Sequence, residues 1–177
     1  VYEHGTTWPW VYTYDITLYA QWKPNTYYVK YDSNGGSGSM ENSTHQYGIL
    51  SNLRKNSFTK EGYEFKGWAT SNSATSALYN DEHSISTLTD INEKTITLYA
   101  VWDQNVFTIT TDATGNYLAA INGGGNYSYG DTCIIEAVYP NNCGYKFSHF
   151  IKNDTTTITA NPYSEVVTAE ASFIAYS

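Results

Sequence analysis

One heptapeptide occurs twice in this chain, and this repetition limits the folds open to the chain more than any other feature. Ile-Thr-Leu-Tyr-Ala-Gln-Trp at residues 16–22 returns as Ile-Thr-Leu-Tyr-Ala-Val-Trp at residues 96–102. Six of the seven positions are identical, and the offset is 80 residues. Self-similarity at a fixed period indicates that a chain is built from copies of one structural unit.

The similarity continues beyond the heptapeptide. Residues 25–35 and 105–115 follow the two copies at the same offset of 80. A second pair of similar segments lies at residues 62–68 and 144–150, both beginning with Gly-Tyr. These matches predict three parts. They are a leading segment (1–25), which is the C-terminal remnant of a preceding repeat, a complete first unit (26–103) and a diverged second unit (104–177).

The hydrophobic pattern predicts a mostly β (α+β) protein of tandem small domains. Apolar residues alternate at Tyr27, Val29 and Tyr31, as in a strand with one buried face. Further strands are predicted at residues 62–68, 96–102 and 132–138. The one candidate helical turn is residues 47–53, a segment too short to be stable by itself. Each unit should therefore be a short sheet with at most one short helix.

Charge and hydropathy exclude several classes of partner. The 177 residues carry 9 Lys and Arg against 17 Asp and Glu, a net charge of −8 without a basic cluster. Nucleic-acid binding requires clustered Lys and Arg, so we expect none. No stretch approaches the roughly 20 apolar residues of a membrane span, so we expect no insertion within this segment. Because the chain begins inside a repeat, we interpret it as a fragment whose targeting signal and anchor lie outside it.

Catalytic and metal-binding patterns are not evident in the sequence. The four histidines are scattered, and none has a ligand or carboxylate at motif spacing. Asp-Ser-Asn-Gly-Gly at 32–36 lacks the spaced carboxylates of a calcium loop and is better interpreted as a turn. We therefore expect no enzyme activity, no metal and no cofactor.

Two cysteines, Cys133 and Cys143, form a candidate disulfide in the second unit. Cys133 lies in a predicted strand, and Cys143 follows the turn Tyr-Pro-Asn-Asn, so a hairpin would bring them together. Two separately buried thiols are the alternative.

The tryptophans and tyrosines are the candidate ligand-contact residues. Trp22, Trp68 and Trp102 recur at fixed places in the unit, which indicates packing in the core or between repeats. Less regular aromatic residues could instead contact a protein or glycan, and the candidates are Trp8, Trp10, Tyr127 and Tyr129. Three asparagines head Asn-x-Ser/Thr triplets, whose glycosylation depends on the source: Asn42, Asn126 and Asn153.

Residues 26–103 resemble the Listeria–Bacteroides type repeat, also called the internalin B-repeat family. The resemblance is carried by the Asp-Ser-Asn-Gly-Gly turn at 32–36, the Gly-Tyr-Glu-Phe-Lys-Gly-Trp run within residues 58–70, and the closing residues 95–102. Residues 106–177 resemble a divergent member, in which His149 and Phe150 replace the Gly and Trp of the run. The resemblance implies tandem β-grasp-like domains in surface and secreted proteins of bacterial type, without catalytic residues.

These features together favour a non-catalytic repeat segment of an extracellular, cell-surface or secreted protein. It would act as a stalk or spacer with a share in adhesion. Its expected partners are neighbouring repeats of the same chain, and a host or matrix protein or glycan. A protein- or glycan-binding module that uses exposed Tyr and Trp is the first alternative. A self-assembling extracellular fibre subunit is the second, since an unpaired strand can pair with a neighbour.

Overall fold

The computed structural model describes residues 5, 7, 9, 11–114, 120–139 and 144–176. The described part is all β, with no helix. Fourteen strands occur in it. Those of the first unit are β1 (Thr26–Asp32), β2 (Ser43–Gln46), β3 (Ser51–Asn52), β4 (Tyr63–Ala69), β5 (Ser84–Ile85) and β6 (Thr95–Gln104). Those of the second are β7 (Val106–Thr114), β8 (Ala120–Asn122), β9 (Gly125–Ser128), β10 (Thr132–Val138), β11 (His149–Lys152), β12 (Thr156–Ile158), β13 (Tyr163–Val166) and β14 (Ala171–Tyr176).

The first unit is built on a four-stranded mixed sheet of order β2-β1-β6-β4. Its two central strands, β1 and β6, run parallel, and each has an antiparallel neighbour on its outer side. The second heptapeptide copy lies in β6, where Leu98 and Ala100 are fully buried. Strands β3 and β5 form a separate small antiparallel pair.

The second unit repeats the central feature of the first. In its five-stranded sheet, of order β12-β11-β14-β7-β9, the neighbours β7 and β14 run parallel. A three-stranded sheet of order β13-β10-β8 accompanies it. Strand β10 has the bounds expected from the sequence, and its alternate residues Cys133, Ile135 and Ala137 are buried. The 80-residue repetition therefore reflects the same placement of β1 and β7 beside the closing strand of their units.

Each unit has its own hydrophobic core. The core of the first unit consists of Tyr27, Val29, Tyr31, Leu53, Phe58, Trp68, Ile85, Leu98 and Ala100. The core of the second consists of Ile109, Cys133, Ile135, Ala137, Phe150, Val167, Ala171, Phe173 and Ala175. Trp68 is fully buried, as expected, and edge-to-face contacts join its ring to those of Tyr31, Phe58 and Phe65. A small unit depends on such aromatic residues, since each buries about 150–250 Å².

The candidate helical turn at residues 47–53 does not form. Gly48 has a φ of 75°, outside the right-handed helical region. The backbone N–H groups of Gly48 and Leu53 donate to the carbonyls of Ser86 and His83. Because these donors are used by a distant part of the chain, the segment is held as a turn followed by β3.

Residues 11–25 form no strand, although they include the first heptapeptide copy. Leu18 is 64% exposed and Trp22 is 91% exposed, whereas Leu98 in the second copy is fully buried. Trp22 therefore does not pack into a core within the described residues, and its packing against a further repeat stays a prediction. The physical reason is that β1 and β4, the strands that flank β6, are already paired with β6 itself.

Candidate functional site

The junction between the two units contains contacts that sequence reasoning did not foresee. Strand β6 ends at Gln104 and β7 begins at Val106, so Asn105 is the sole residue between them. The Asn105 N–H donates to the carbonyl of Gly62 in the first unit, at 2.9 Å. Its carbonyl accepts the N–H of Tyr129 in the second unit, at 2.8 Å. One residue is thus bonded to both units through its backbone.

Tyr129 extends this junction with its side chain. Its hydroxyl donates to Oε1 of Glu61 at 2.7 Å, and its carbonyl accepts Nε2 of Gln104 at 2.9 Å. Because this carboxylate favours the protonated hydroxyl, the hydrogen bond raises the pKa of Tyr129, with smaller contributions from burial and charge. A bond to an ionised acceptor is stronger than a neutral one, although exposure here weakens it.

The ring of Tyr129 lies directly against Gly62. A Cβ built on Gly62 would lie 2.1 Å from Cδ1 of that ring, so only glycine permits this approach. Gly62 also has a φ of 73°, which favours glycine. It ends a turn in which the Tyr63 N–H donates to the carbonyl of Lys60. Without a side chain at Gly62, the backbone of this turn is open beside the Glu61 carboxylate. The Tyr129 ring covers that backbone.

The turn that carries Tyr129 is fixed by its own neighbours. The Ser128 N–H donates to Oδ2 of Asp131, and the Asp131 N–H donates to the carbonyl of Ser128. Gly130, with a φ of 88°, donates to the carbonyl of Val167. These bonds fix the turn of the second unit from which Tyr129 reaches Glu61 of the first.

A buried polar chain lies in the first unit around His45, which is 3% exposed. The Arg54 N–H donates to the hydroxyl of Tyr31, which is 2.8 Å from Oγ of Ser43. Ser43 Oγ lies 2.7 Å from His45 Nε2, and His45 Nδ1 lies 2.6 Å from Oγ of Ser51. If the Tyr31 and Ser43 hydroxyls each donate to the next group, a neutral imidazole protonated at Nδ1 accepts from Ser43 and donates to Ser51. Burial lowers the pKa of His45, which also favours this neutral form.

A second polar cluster lies beside Cys133 in the second unit. Lys152 forms an ion pair with Glu165, whose Oε2 also accepts the hydroxyl of Tyr163 at 3.0 Å. Cys133 is fully buried, and burial, followed by the Glu165 carboxylate, raises the pKa of its thiol. A thiol with a raised pKa is a poor nucleophile. Cys143 lies outside the described residues, so the Cys133–Cys143 disulfide stays a prediction.

The four candidate ligand-contact aromatics have different positions. Trp8 and Trp10 lie outside the described residues. Tyr127 packs against the core of the second unit, and its hydroxyl donates to the carbonyl of Gly123 at 2.9 Å. Tyr129 is the junction residue. The structure does not bring Tyr127 and Tyr129 together as a contact surface, and their ligand role stays a prediction.

The three triplet asparagines are exposed. The carbonyl of Asn42 accepts two bonds from the Arg54 guanidinium. Oδ1 of Asn126 accepts the hydroxyl of Thr108, and Oδ1 of Asn153 accepts the N–H of Ser172. Within the described residues, no group of three or more His, Cys, Asp or Glu side chains could hold a metal ion. The same part of the chain contains no helix long and apolar enough to cross a membrane.

Comparison with protein families accounts for the repetition. Residues 27–101 match the Listeria-Bacteroides repeat domain, and residues 107–176 match the divergent InlB B-repeat domain. The chain belongs to the B-repeat family. Both matches agree with the resemblance inferred from the turn at 32–36 and the Gly-Tyr-x-Phe run.

Two similar proteins come from Evansella cellulosilytica. They are named "Putative Gly-rich membrane protein", 33% identical over 147 residues, and "Putative membrane protein", 31% identical over 147 residues. The alignments cover 81% and 80% of this chain, but only 15% and 19% of the two relatives. The chain therefore spans less than a fifth of either relative. No solved structure matches it.

Proposed function

We propose that this chain is a non-catalytic spacer segment of an extracellular, cell-surface repeat protein, in which B-repeat units are held in line. The observation that carries the proposal is the junction, where Asn105 is bonded through its backbone to both Gly62 and Tyr129. A spacer needs neighbouring units held at a fixed angle, since a free linker would let them fold back. One intervening residue with bonds on both sides supports such a fixed angle.

The names and lengths of the two relatives favour the same proposal. Their names place them with membrane proteins, and a much longer parent chain would leave room for an anchor and further units. The composition agrees with an exposed segment, because solubility is supplied mainly by Ser, Thr, Asn and Tyr rather than by charge. We propose that residues 26–103 and 104–177 each form one such unit, which their separate cores support.

We further propose that each unit is a helix-free variant of the β-grasp architecture. The order β2-β1-β6-β4, with a central parallel pair between antiparallel outer strands, supports this assignment. The central pair β7 and β14 supports it for the second unit. In both units the first and last strands lie side by side, which suits end-to-end connection.

Small-angle scattering tests the spacer. Two units of about 75 residues should each have a radius of gyration of about 11 Å, and about 30 Å between their centres gives about 19 Å for the chain. A single compact body of this length would give about 16 Å. A monomer near the lower value would remove the in-line spacer.

Adhesion to a host protein or glycan is the second candidate, and exposed aromatic side chains favour it. Tyr19 is 80% exposed and Trp22 is 91% exposed, on a segment without strand pairing. The test compares a monomer with a multimerised display on glycan and matrix-protein arrays, because tethering converts weak affinity into avidity. Monomer binding lost in Tyr19→Ser and Trp22→Ser would favour a binding module. Absence of binding in both formats would leave the spacer alone.

A further inference from the structure

Tyr47 in the first unit is the structural counterpart of the junction residue Tyr129. In the antiparallel pair β1–β2, Thr26 lies opposite Gln46, and in β7–β9, Val106 lies opposite Ser128. The next residue is tyrosine in both cases, followed by glycine. The Tyr47 N–H donates to the carbonyl of Asn25 at 2.8 Å, as the Tyr129 N–H does to Asn105 at 2.8 Å.

The two tyrosines differ in what they cover. Tyr129 lies against Gly62 and bonds to Glu61, whereas Tyr47 is 48% exposed. The segments that precede the two units also correspond in sequence. Residues 96–102 form the middle of β6, and residues 16–22 copy them but form no strand. The first unit thus carries a tyrosine placed like Tyr129, and within the described residues no counterpart of Gly62 and Glu61 lies against it.

We propose that Tyr47 and Asn25 form a docking face for a further repeat unit. Residues 16–22 would close that unit as its central strand, and its Glu-Gly turn would lie under Tyr47. The occupant is therefore a unit of the same architecture as residues 26–103, with a carboxylate beside an uncovered glycine. This inference rests on one part of the spacer proposal, namely that further repeat units follow one another in the chain.

The requirements of the heptapeptide support this occupant. In β6, Leu98 lies opposite Tyr31 of β1, and Ala100 lies opposite Trp68 of β4. A copy with the same side chains needs the same two neighbours, which must come from another unit because β1 and β4 are already paired. Leu18, at 64% exposure, and Trp22, at 91%, would then become buried or half-buried like their counterparts.

One position departs from the observed junction. Gln104, whose side chain donates to the Tyr129 carbonyl, corresponds to Pro24. Proline has no donor, so the proposed junction lacks this bond. The remaining bonds are the Asn25 N–H to the glycine carbonyl and the Tyr47 hydroxyl to the carboxylate. We expect the new junction to be the weaker of the two.

Amide hydrogen exchange tests the docking face in an extended chain. A second copy of residues 26–95 is placed directly before residue 16 of the present chain, so that residues 16–22 occupy the closing position. The Asn25 amide should then exchange at least about tenfold more slowly than in the unextended chain, as an amide does when it becomes hydrogen-bonded and buried. Tyr47→Ala in the extended chain should restore the faster exchange. Tyr129→Ala is the matched control and should do the same at Asn105.

Two results would overturn the proposal. If the added unit folds but the Asn25 amide exchanges at its original rate, Tyr47 does not dock. If the added unit stays unfolded, residues 16–22 are not its closing strand. A second extended chain carries Gln21→Val, which restores the heptapeptide of β6. If the added unit is unfolded in this chain as well, residues 16–22 are excluded as its closing strand. If the Asn25 amide is protected but the scattering profile of the extended chain is compact, the docking face stands and the in-line spacer is wrong.

Discussion

Replacing Trp68 by alanine should strongly destabilise the first unit and leave the stability of the second unchanged. Trp68 is fully buried, and its ring contacts those of Tyr31, Phe58 and Phe65, with centroids 4.9, 6.2 and 4.9 Å away. Truncation of a buried tryptophan costs about 3–5 kcal/mol. A unit of this size has about 4–11 kcal/mol of total stability, so a large share of it would be lost.

The indole nitrogen contributes little to this cost. Among the described residues, Nε1 of Trp68 has no hydrogen-bond partner. Trp68→Phe therefore removes volume and no bond, and should cost about 1–3 kcal/mol, less than alanine. Trp22→Ala is the matched control, because that side chain is 91% exposed and should change stability by less than about 0.5 kcal/mol.

Residue-resolved hydrogen exchange measures the effect in each unit separately. A loss of about 3 kcal/mol corresponds to about a 150-fold faster exchange of amides that open by unfolding. We expect this acceleration at Val29 and Leu98, and little change at Ile109 and Phe173, which belong to the other core. Equal acceleration in both cores would show one cooperative body. A change below about 1 kcal/mol at Leu98 would refute the packing argument itself.

Three further predictions concern the junction, the buried histidine and the cysteines. Gly62→Ala should make the Asn105 amide exchange faster, since the new Cβ would displace the Tyr129 ring. Gly48→Ala is the control: Gly48 has a φ of 75° and no atom within 4 Å of an added Cβ, so this change should cost only about 1–2 kcal/mol of backbone strain. Because the pKa of His45 is lowered on folding, stability should be complete above about pH 6.5 and decline as pH falls below it, and His45→Gln should abolish that decline in denaturant midpoints. A Cys133–Cys143 bridge closing about ten residues should add about 3 kcal/mol, less any strain, and two reactive thiols in the unfolded, unreduced protein would reject it.

The strands were predictable from sequence because alternation reports directly on a half-buried sheet. The bounds of β10 agree with prediction, and β1 and β6 each extend only one or two residues beyond theirs. The prediction of a helical turn at 47–53 was wrong because backbone N–H groups of this segment donate to the distant carbonyls of Ser86 and His83. A local pattern does not reveal such distant partners.

The junction was harder to predict because its contacts join residues with no motif of their own. Glu61 and Tyr129 are 68 residues apart, and neither is part of the heptapeptide. The signal that could have found them is the second correspondence, Asn25 with Tyr47-Gly48 and Asn105 with Tyr129-Gly130. It was masked because the intervals differ by two residues, 22 against 24. Only strand pairing aligns them.

The same side chain can therefore be packed against a core in one copy of the heptapeptide and exposed in the other. Trp102 donates its indole N–H to the carbonyl of Ser33 and packs against the core, whereas Trp22, at the same place in the heptapeptide, is 91% exposed. Nothing in the seven residues distinguishes them, because the difference lies in the strands that flank the copy. Under the docking proposal, each unit would contribute one half of its junction with a neighbour. The exposed apolar surface at one end matches what a neighbouring unit would bury.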